Sequence, residues 1–374
     1  MVLRGSVLPI FMAVRLNVDT ACSFFALVSK GGVFLGKTIV TQEKQSVQQQ
    51  TTLSPTGSVT PLPLPVGGRI LALFRAMRPR QWVKNLALFV GIVFAQRLLS
   101  LPILGRAALA FVIFCLASGV IYLLNDLLDL ENDRQHPVKS KRPLASGALP
   151  AAWAVAAIGV LLLVCAGLVV VVFFIPIDGQ PDIFASYGGA SLLFALTVAA
   201  YLLLMALYSV RLKHVVLLDV FIIASGFVLR IVAGTVVLPV VISPWLYLVT
   251  ILLSLFLALN KRRNELVLLE GQASSHRQIL KEYSVPLLDQ MITIVTAATL
   301  MAYSLYTFQS STGNHHLMIT IPFVLYGMFR YLYLVHMRME GGSPEEVLLR
   351  DRHILASVVL IVALVILVLY IFPQ

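Results

Sequence analysis

The chain is expected to be an all-α polytopic membrane protein of nine spans, with its chemistry gathered at one membrane face. Three observations predict this. Of its 374 residues 59% are hydrophobic and only 12% charged, the mean hydropathy is +0.91, and the acids and bases sit in short islands between long apolar runs. Such a composition excludes an ordinary soluble domain and suits helices that satisfy their own backbone within lipid.

Residues 1–68 differ in character from the rest of the chain. The stretch TQEKQSVQQQTTLSPTGSVT at 41–60 is polar and of low complexity, and Pro61, Pro63 and Pro65 form a stiff linker after it, so this part is expected to be largely disordered. Residues 5–36 are moderately apolar, but Arg15, Asp19 and Lys30 interrupt them and no signal-peptide pattern is formed. The membrane domain is expected to run from Arg69 to the C-terminus.

The apolar runs place spans at 83–101, 105–126, 150–174, 186–210, 215–237, 243–260, 285–308, 316–337 and 353–372. Lys84 and Arg97 crowd the ends of the first. Loops after the even-numbered spans hold fourteen Lys and Arg residues, from Arg134 to Arg352, whereas those after the odd ones hold at most Arg97 and Arg106. Because cytoplasmic loops collect cations, the even loops and the N-terminus are assigned to the cytoplasm. The net charge of +11 is then a signal of topology and of attraction to anionic headgroups, and a nucleic-acid partner is not indicated. Cys22, Cys115 and Cys165 have no CxxC spacing, and the seven histidines have no metal spacing.

The densest island is Asn125–Pro143, NDLLDLENDRQHPVKSKRP. Asp126, Asp129 and Asp133 occur at i, i+3 and i+7, so a continuing helix would set them on one face about 60° wide. Bare carboxylates there repel, and burying them unpaired beside lipid is costly. A hard divalent cation such as Mg²⁺ removes that repulsion and commonly bridges a few carboxylates to substrate phosphates. Arg134, Lys139, Lys141 and Arg142 come directly after, as a phosphorylated substrate requires.

Other polar islands fall on the same side: RPRQWVKN at 78–85, then Tyr208, Arg211, Lys213, His214 and Asp219, then NKRRNE at 260–265 with His276, Arg277 and Tyr283. They can converge on one anion without crossing the bilayer. Each base taken alone reads more simply as a topology determinant, whereas topology gains little from the aspartates. Within the spans, Arg230 either contacts a lipid phosphate or pairs with a buried carboxylate, and Arg330 needs a wet or paired environment too. Gly226 and Gly234 suit close helix packing.

The run NDLLDLEND fits the NDxxDxxxD signature of the UbiA superfamily of intramembrane prenyltransferases, which the chain resembles over about residues 70–372. Within it the likeness is to the decaprenyl-phosphate phosphoribosyltransferases, carried by RPRQWVKN at 78–85, DRQHPVKSKRPLASG at 133–147, YSVRLKH at 208–214, GFVLRIVAG at 226–234, NKRRNEL at 260–266, HRQILKEYS at 276–284 and FRYLYLV at 329–335. The resemblance implies nine helices around a cytoplasmic-facing cavity in a prokaryotic plasma membrane. It implies transfer of 5-phosphoribosyl from phosphoribosyl pyrophosphate to a polyprenyl phosphate, with Mg²⁺ on Asp126, Asp129 and Asp133 and with Asn125 orienting a ligand.

Prenyltransferases of the family carry a second motif, DxxxD, after the sixth span. Here Lys261, Arg262 and Arg263 replace it and only Glu265 remains, which suits a donor with an extra phosphate. Lys84, Lys213 and Arg230 are candidates for holding one of the phosphates, with Arg134, Lys139, Lys141, Arg142, Tyr208, Lys261, Arg262, Arg263, Glu265, His276 and Arg277 around donor or ribose, and Arg78, Arg80 and Arg230 near the lipid phosphate. The rival readings are a prenyltransferase using an isoprenoid diphosphate and a lipid transporter or binding protein without chemistry.

Overall fold

The structure, a computed structural model, describes residues 65–371 apart from 95, 97–99, 137, 176–181, 241–242, 271–281, 310–314 and 339–343. Most of the expected N-terminal extension, together with His276 and Arg277, therefore lies outside the described residues. Helices in chain order are α1 Val66–Ala76, α2 Val90–Phe94, α3 Leu101–Leu128, α4 Leu130–Gln135, α5 Ala151–Phe174, α6 Asp182–Ser186 and α7 Ala190–Val210, then α8 Leu218–Val237, α9 Pro244–Glu270, α10 Val285–Phe308, α11 Ile321–Met337, α12 Pro344–Arg350 and α13 Arg352–Ile371. No strand occurs among the described residues. Among the described residues eight helices are long and apolar enough to cross a membrane, namely α3, α5, α7, α8, α9, α10, α11 with its lead-in from His316, and α13. The chain is an integral membrane protein.

Two differences from expectation bear on function. Among the described residues of 83–101 no membrane-length α-helix occurs. Instead a 3-10 segment, Pro79–Phe89, leads into the short α2. Asn85 of this segment turns inward: it is buried and donates to Cys115 Sγ (3.3 Å) and Ser118 Oγ (3.5 Å) of α3. The segment also packs against α8 where Gly234 leaves no side chain, since a Cβ there would lie 2.1 Å from the Leu88 carbonyl oxygen. The second difference is that the basic run 261–265 belongs to no loop. It continues α9, which ends only at Glu270.

Packing singles out α8 as the spine. Val220 and Ala224 join one core with Phe256, Leu288 and Tyr331, while Ala233 and Val237 join another with Phe114, Phe194 and Tyr201. Outward, α5 presents Val160, Leu163 and Val170 to its surroundings, the apolar exterior that lipid requires. Arg106, read from sequence as a loop charge, is 2% exposed inside α3. It donates to carbonyls at the end of α5 (Val172, 3.0 Å; Ile175, 2.7 Å) and to the last carbonyl of α8 (Val237, 2.9 Å), with Ser191 Oγ at 3.3 Å. Helix C-termini carry partial negative charge and unpaired carbonyls, so one guanidinium satisfies two helix ends at once.

Gly234→Ala is expected to lower the melting temperature of the detergent-solubilised protein, at a cost of about 2 kcal/mol, because the clash is with backbone that cannot swing away. Gly159→Ala, which meets no atom within 4 Å, should leave it unchanged in the same thermal scan.

Candidate active site

The acids of the Asn125–Asp133 run are reached by three cations from three other parts of the chain. Asp126, 2% exposed at the end of α3, accepts from Arg78 Nη2 (2.5 Å) and from Arg142 Nη1 (3.2 Å). The same Nη1 lies 2.5 Å from Asp133 Oδ2, so a single atom touches both buried carboxylates. Asp129 stands at the break between α3 and α4 and accepts from Lys213 Nζ at 2.6 Å instead. The helical hydrogen bonds nevertheless run on, from Asp129 N to Asn125 O and from Asp133 N to Asp129 O, which keeps all three acids near one face. Among the described residues no group of three or more His, Cys, Asp or Glu side chains is gathered closely enough to hold an ion unaided.

Arg78 is drawn into this site by backbone as well as charge. It adopts left-handed dihedrals (φ 53°, ψ 63°) just before Pro79, which disfavours ordinary helix at the preceding residue. Its guanidinium covers the Tyr122 ring at 4.9 Å, a second attraction beside the ion pair. The 3-10 segment after it has three residues per turn, so positions three apart eclipse one another. Gln81 and Lys84 therefore line up beside Arg78 in one row, with Lys84 Nζ donating to Gln81 Oε1 (3.2 Å) and the Tyr122 hydroxyl donating to the same oxygen (2.9 Å).

That row lines a cavity of about 680 Å³ walled by α3, α7, α8, α9 and the 136–142 loop. Its lining includes seven cations, Arg78, Lys84, Lys139, Arg142, Arg230, Lys261 and Arg262, against one carboxylate, Glu265. Asn125, His136, Tyr208 and Tyr201 also face it. Deeper in, Arg230 donates to Asn85 Oδ1 (2.7 Å), Gly226 O (2.7 Å) and the Tyr201 hydroxyl (2.9 Å). The sequence alone allows it a carboxylate partner, and among the described residues it has none.

On the opposite wall Arg262 is 1% exposed, with Nε donating to the fully buried Asp219 (2.6 Å), Nη1 to Glu265 and Nη2 to the Tyr208 hydroxyl (3.3 Å). Tyr283 completes this network by donating to Asp219 (2.8 Å) while accepting from the Leu217 amide (2.8 Å). Burial pushes the Tyr283 phenol up to about 12, and the Asp219 carboxylate acts in the same direction.

Not every expected residue reaches the cavity. Arg263 points to Asp289 (2.5 Å), where His336 joins it. Arg134 pairs with Glu131 on an exposed turn (2.8 Å). Arg80 and Lys141 are exposed and absent from the lining, and Arg330 pairs with Asp351 (2.8 Å). Sequence reasoning does not single out Gln81, Tyr122 or Tyr201. A hydroxyl or amide in an apolar run, where burial demands a partner, is the available signal.

A cation-rich, partly open cavity whose arginines are held by buried aspartates, within a bundle of membrane-length helices, is the arrangement of an intramembrane transferase. The chain belongs to the UbiA prenyltransferase family, whose model matches residues 86–343. It is 33% identical over 314 residues to a decaprenyl-phosphate phosphoribosyltransferase of Corynebacterium glutamicum, covering 81% of this chain and 88% of that one. The enzyme of the same name from Mycolicibacterium smegmatis is 32% identical over 302 residues, covering 76% and 87%. Among solved structures, a UbiA homolog from Archaeoglobus fulgidus bound to GPP and Mg²⁺ superposes with a TM-score of 0.59 at 16% identity, over 79% of this chain and 99% of that one. A digeranylgeranylglyceryl phosphate synthase gives 0.54 at 17%, over 80% and 98%. These two share the fold.

The raised phenol of Tyr283 sets a pH dependence. The folded chain keeps its proton up to about 12 while an unfolded tyrosine releases it near 10, so the stabilisation is complete below pH 10 and lost as pH rises toward 12. Wild type should melt above Tyr283→Phe at neutral pH, and the gap in melting temperature should close across that window.

Proposed function

We propose that the chain transfers 5-phosphoribosyl from phosphoribosyl pyrophosphate to a polyprenyl phosphate of the decaprenyl type, releasing diphosphate, with Mg²⁺ as cofactor. The site is proposed to open to the cytoplasm at a prokaryotic plasma membrane. The observation that carries this reading is the charge of the cavity, seven lining cations against the lining carboxylate Glu265 and the buried Asp126, Asp133 and Asp219 that pair with Arg78, Arg142 and Arg262. A donor bearing a diphosphate and a separate phosphate calls for that excess, and a plain isoprenoid diphosphate calls for less. The names and coverage of the bacterial relatives support the same choice.

The transfer needs little from the protein in bond-making. The bond from the anomeric carbon to the diphosphate breaks, with the electron pair leaving on diphosphate, and an oxygen of the lipid phosphate bonds that carbon. The acceptor is already an anion at neutral pH, so no general base is required. What the site must do is stabilise charge on the leaving group. Arg78, Arg142, Lys139 and Lys261 face the cavity for that task.

Asp126 and Asp133 are hard oxygen donors within reach of one atom, which fits Mg²⁺, an ion that commonly takes one or two carboxylates and completes its shell with phosphate and water. Bound there, the ion would offset the charge of the leaving diphosphate. Arg142 and Arg78, now held by the carboxylates, would then be released toward phosphate oxygens. Arg262 acts as a positioning residue in this reading, since Asp219 and Glu265 already occupy it.

Purified protein supplied with labelled phosphoribosyl pyrophosphate, polyprenyl phosphate and Mg²⁺ is expected to yield lipid-linked label, and chelation of the metal should abolish it. Asp126→Asn and Asp133→Asn should each cut turnover by about a hundredfold or more with elution from a sizing column unchanged. No label from this donor, alongside product from a polyprenyl diphosphate and an aromatic acceptor, would show the chain to be a prenyltransferase instead.

A further inference from the structure

We propose that Arg230 and Tyr201 form an inner subsite that holds the phosphate of the lipid acceptor, apart from the cation-rich mouth that takes the donor. This assignment rests on the phosphoribosyl-transfer reading and adds to it where the acceptor's charge sits.

The argument is one of charge balance. A guanidinium buried among apolar helices is costly unless something offsets its charge. The other buried arginines are offset. Arg262 has Asp219 and Glu265, and Arg106 has the carbonyl ends of two helices. Arg230 lies roughly three turns into α8, away from any helix end. Its partners are an amide oxygen, a hydroxyl and one mid-helix carbonyl, and among the described residues no carboxylate pairs with it. The faces of Tyr201 (4.9 Å) and Phe227 (5.5 Å) soften the charge without cancelling it. Yet Arg230 lines the cavity. A positive charge held rigidly, uncompensated and facing open space calls for an anion.

The surroundings say which anion. Three of the five guanidinium N–H donors serve to fix the side chain, and the others remain for a ligand. Tyr201 spends its oxygen as an acceptor from Arg230, so its own proton can be donated to a phosphate oxygen. Around them the lining is hydrocarbon: Ile121, Met205, Ile223 and Phe227. One cation in an apolar pocket suits a phosphate monoester on a lipid chain. A sugar carrying three phosphates, with its hydroxyls to satisfy, belongs instead at the mouth with Arg78, Arg142, Lys139 and Lys261. The two ligands then meet within one cavity, with the acceptor oxygen approaching from the membrane side.

The test is equilibrium binding of radiolabelled polyprenyl phosphate to purified protein in detergent, without donor or metal. Arg230→Gln should weaken binding at least tenfold, Arg230→Lys should fall between it and wild type, and Tyr201→Phe, which keeps the ring, should weaken it severalfold. Neither uncharged polyprenol, inorganic phosphate, phosphatidic acid nor phosphoribosyl pyrophosphate should displace the label at equal concentration. In turnover, Tyr201→Phe should raise KM for polyprenyl phosphate and leave KM for the donor within twofold.

Wild-type binding by both Arg230→Lys and Tyr201→Phe would overturn the assignment even if Arg230→Gln fails to fold. Displacement by inorganic phosphate or phosphatidic acid would overturn it in favour of a free anion or a bilayer lipid, and displacement by phosphoribosyl pyrophosphate in favour of the donor. Loss of binding in the variants together with no phosphoribosyl transfer by wild type would uphold the anion subsite while refuting the reaction, so the two ideas fail separately.

Discussion

The structure depends on the cost of leaving a carboxylate unpaired beside hydrocarbon. Asp126 and Asp133 are almost wholly buried, and neither can stay charged there without a partner. The cations that answer come from far along the chain: Arg78 before the 3-10 segment, Arg142 after α4, and Lys213 between α7 and α8 for Asp129. Each ion pair thereby ties a separate element to the end of α3. The acids that mark the site also assemble its rim, and the cavity mouth exists because those segments are held in register around them.

A second buried pair has the same role across the cavity. Asp219, at the start of α8, receives Arg262 from α9 and Tyr283 from the approach to α10, which joins three elements through one carboxylate. The two networks differ in what surrounds them. Around Asp219 the donors are satisfied within the protein, as a permanent strut would be. Arg262 borders the cavity too, but its side chain is only 2% exposed, whereas those of Arg78 and Arg142 beside Asp126 are 25% and 26% exposed and can exchange a carboxylate for a phosphate at little net cost in charge. A ligand that brings both phosphate and metal substitutes for both sides of these pairs at once.

Much of this is legible in the sequence, for reasons that also explain what is not. Seven expected spans match helices closely, as 285–308 does α10, and an eighth, 243–260, matches the start of α9, because hydropathy reports the environment of a whole segment. The aspartates stand out because lipid tolerates so few. Individual basic residues are harder, since spacing along a chain does not say where a side chain points. Lys261, Arg262 and Arg263 look like one basic loop, but α9 continues through them and turns successive residues by about 100°. Lys261 consequently faces the cavity, Arg262 the Asp219 network and Arg263 the Asp289 pair on α10. Arg230 is likewise ambiguous until its neighbours are known, because nothing in the local sequence reveals that Asn85 and Tyr201 are waiting for it.

The 3-10 winding of Pro79–Phe89 reflects the same pressure. In an α-helix residues three apart drift by about 60° per step, so Arg78, Gln81 and Lys84 would spread around the surface and some would meet lipid. Within the 3-10 segment Gln81 and Lys84 eclipse, and Arg78, in its left-handed conformation just before the segment, joins them at the cavity. The tighter winding has poorer backbone hydrogen bonds and long runs of it are uncommon, so something must compensate over Pro79–Phe89. Buried Asn85 anchored on α3, Leu88 seated against Gly234 and the Arg78–Asp126 pair provide that compensation. Hydropathy sees only the apolar average of this stretch and reads a span. Aligning polar groups on one anion site draws on a local winding that an apolar average does not report.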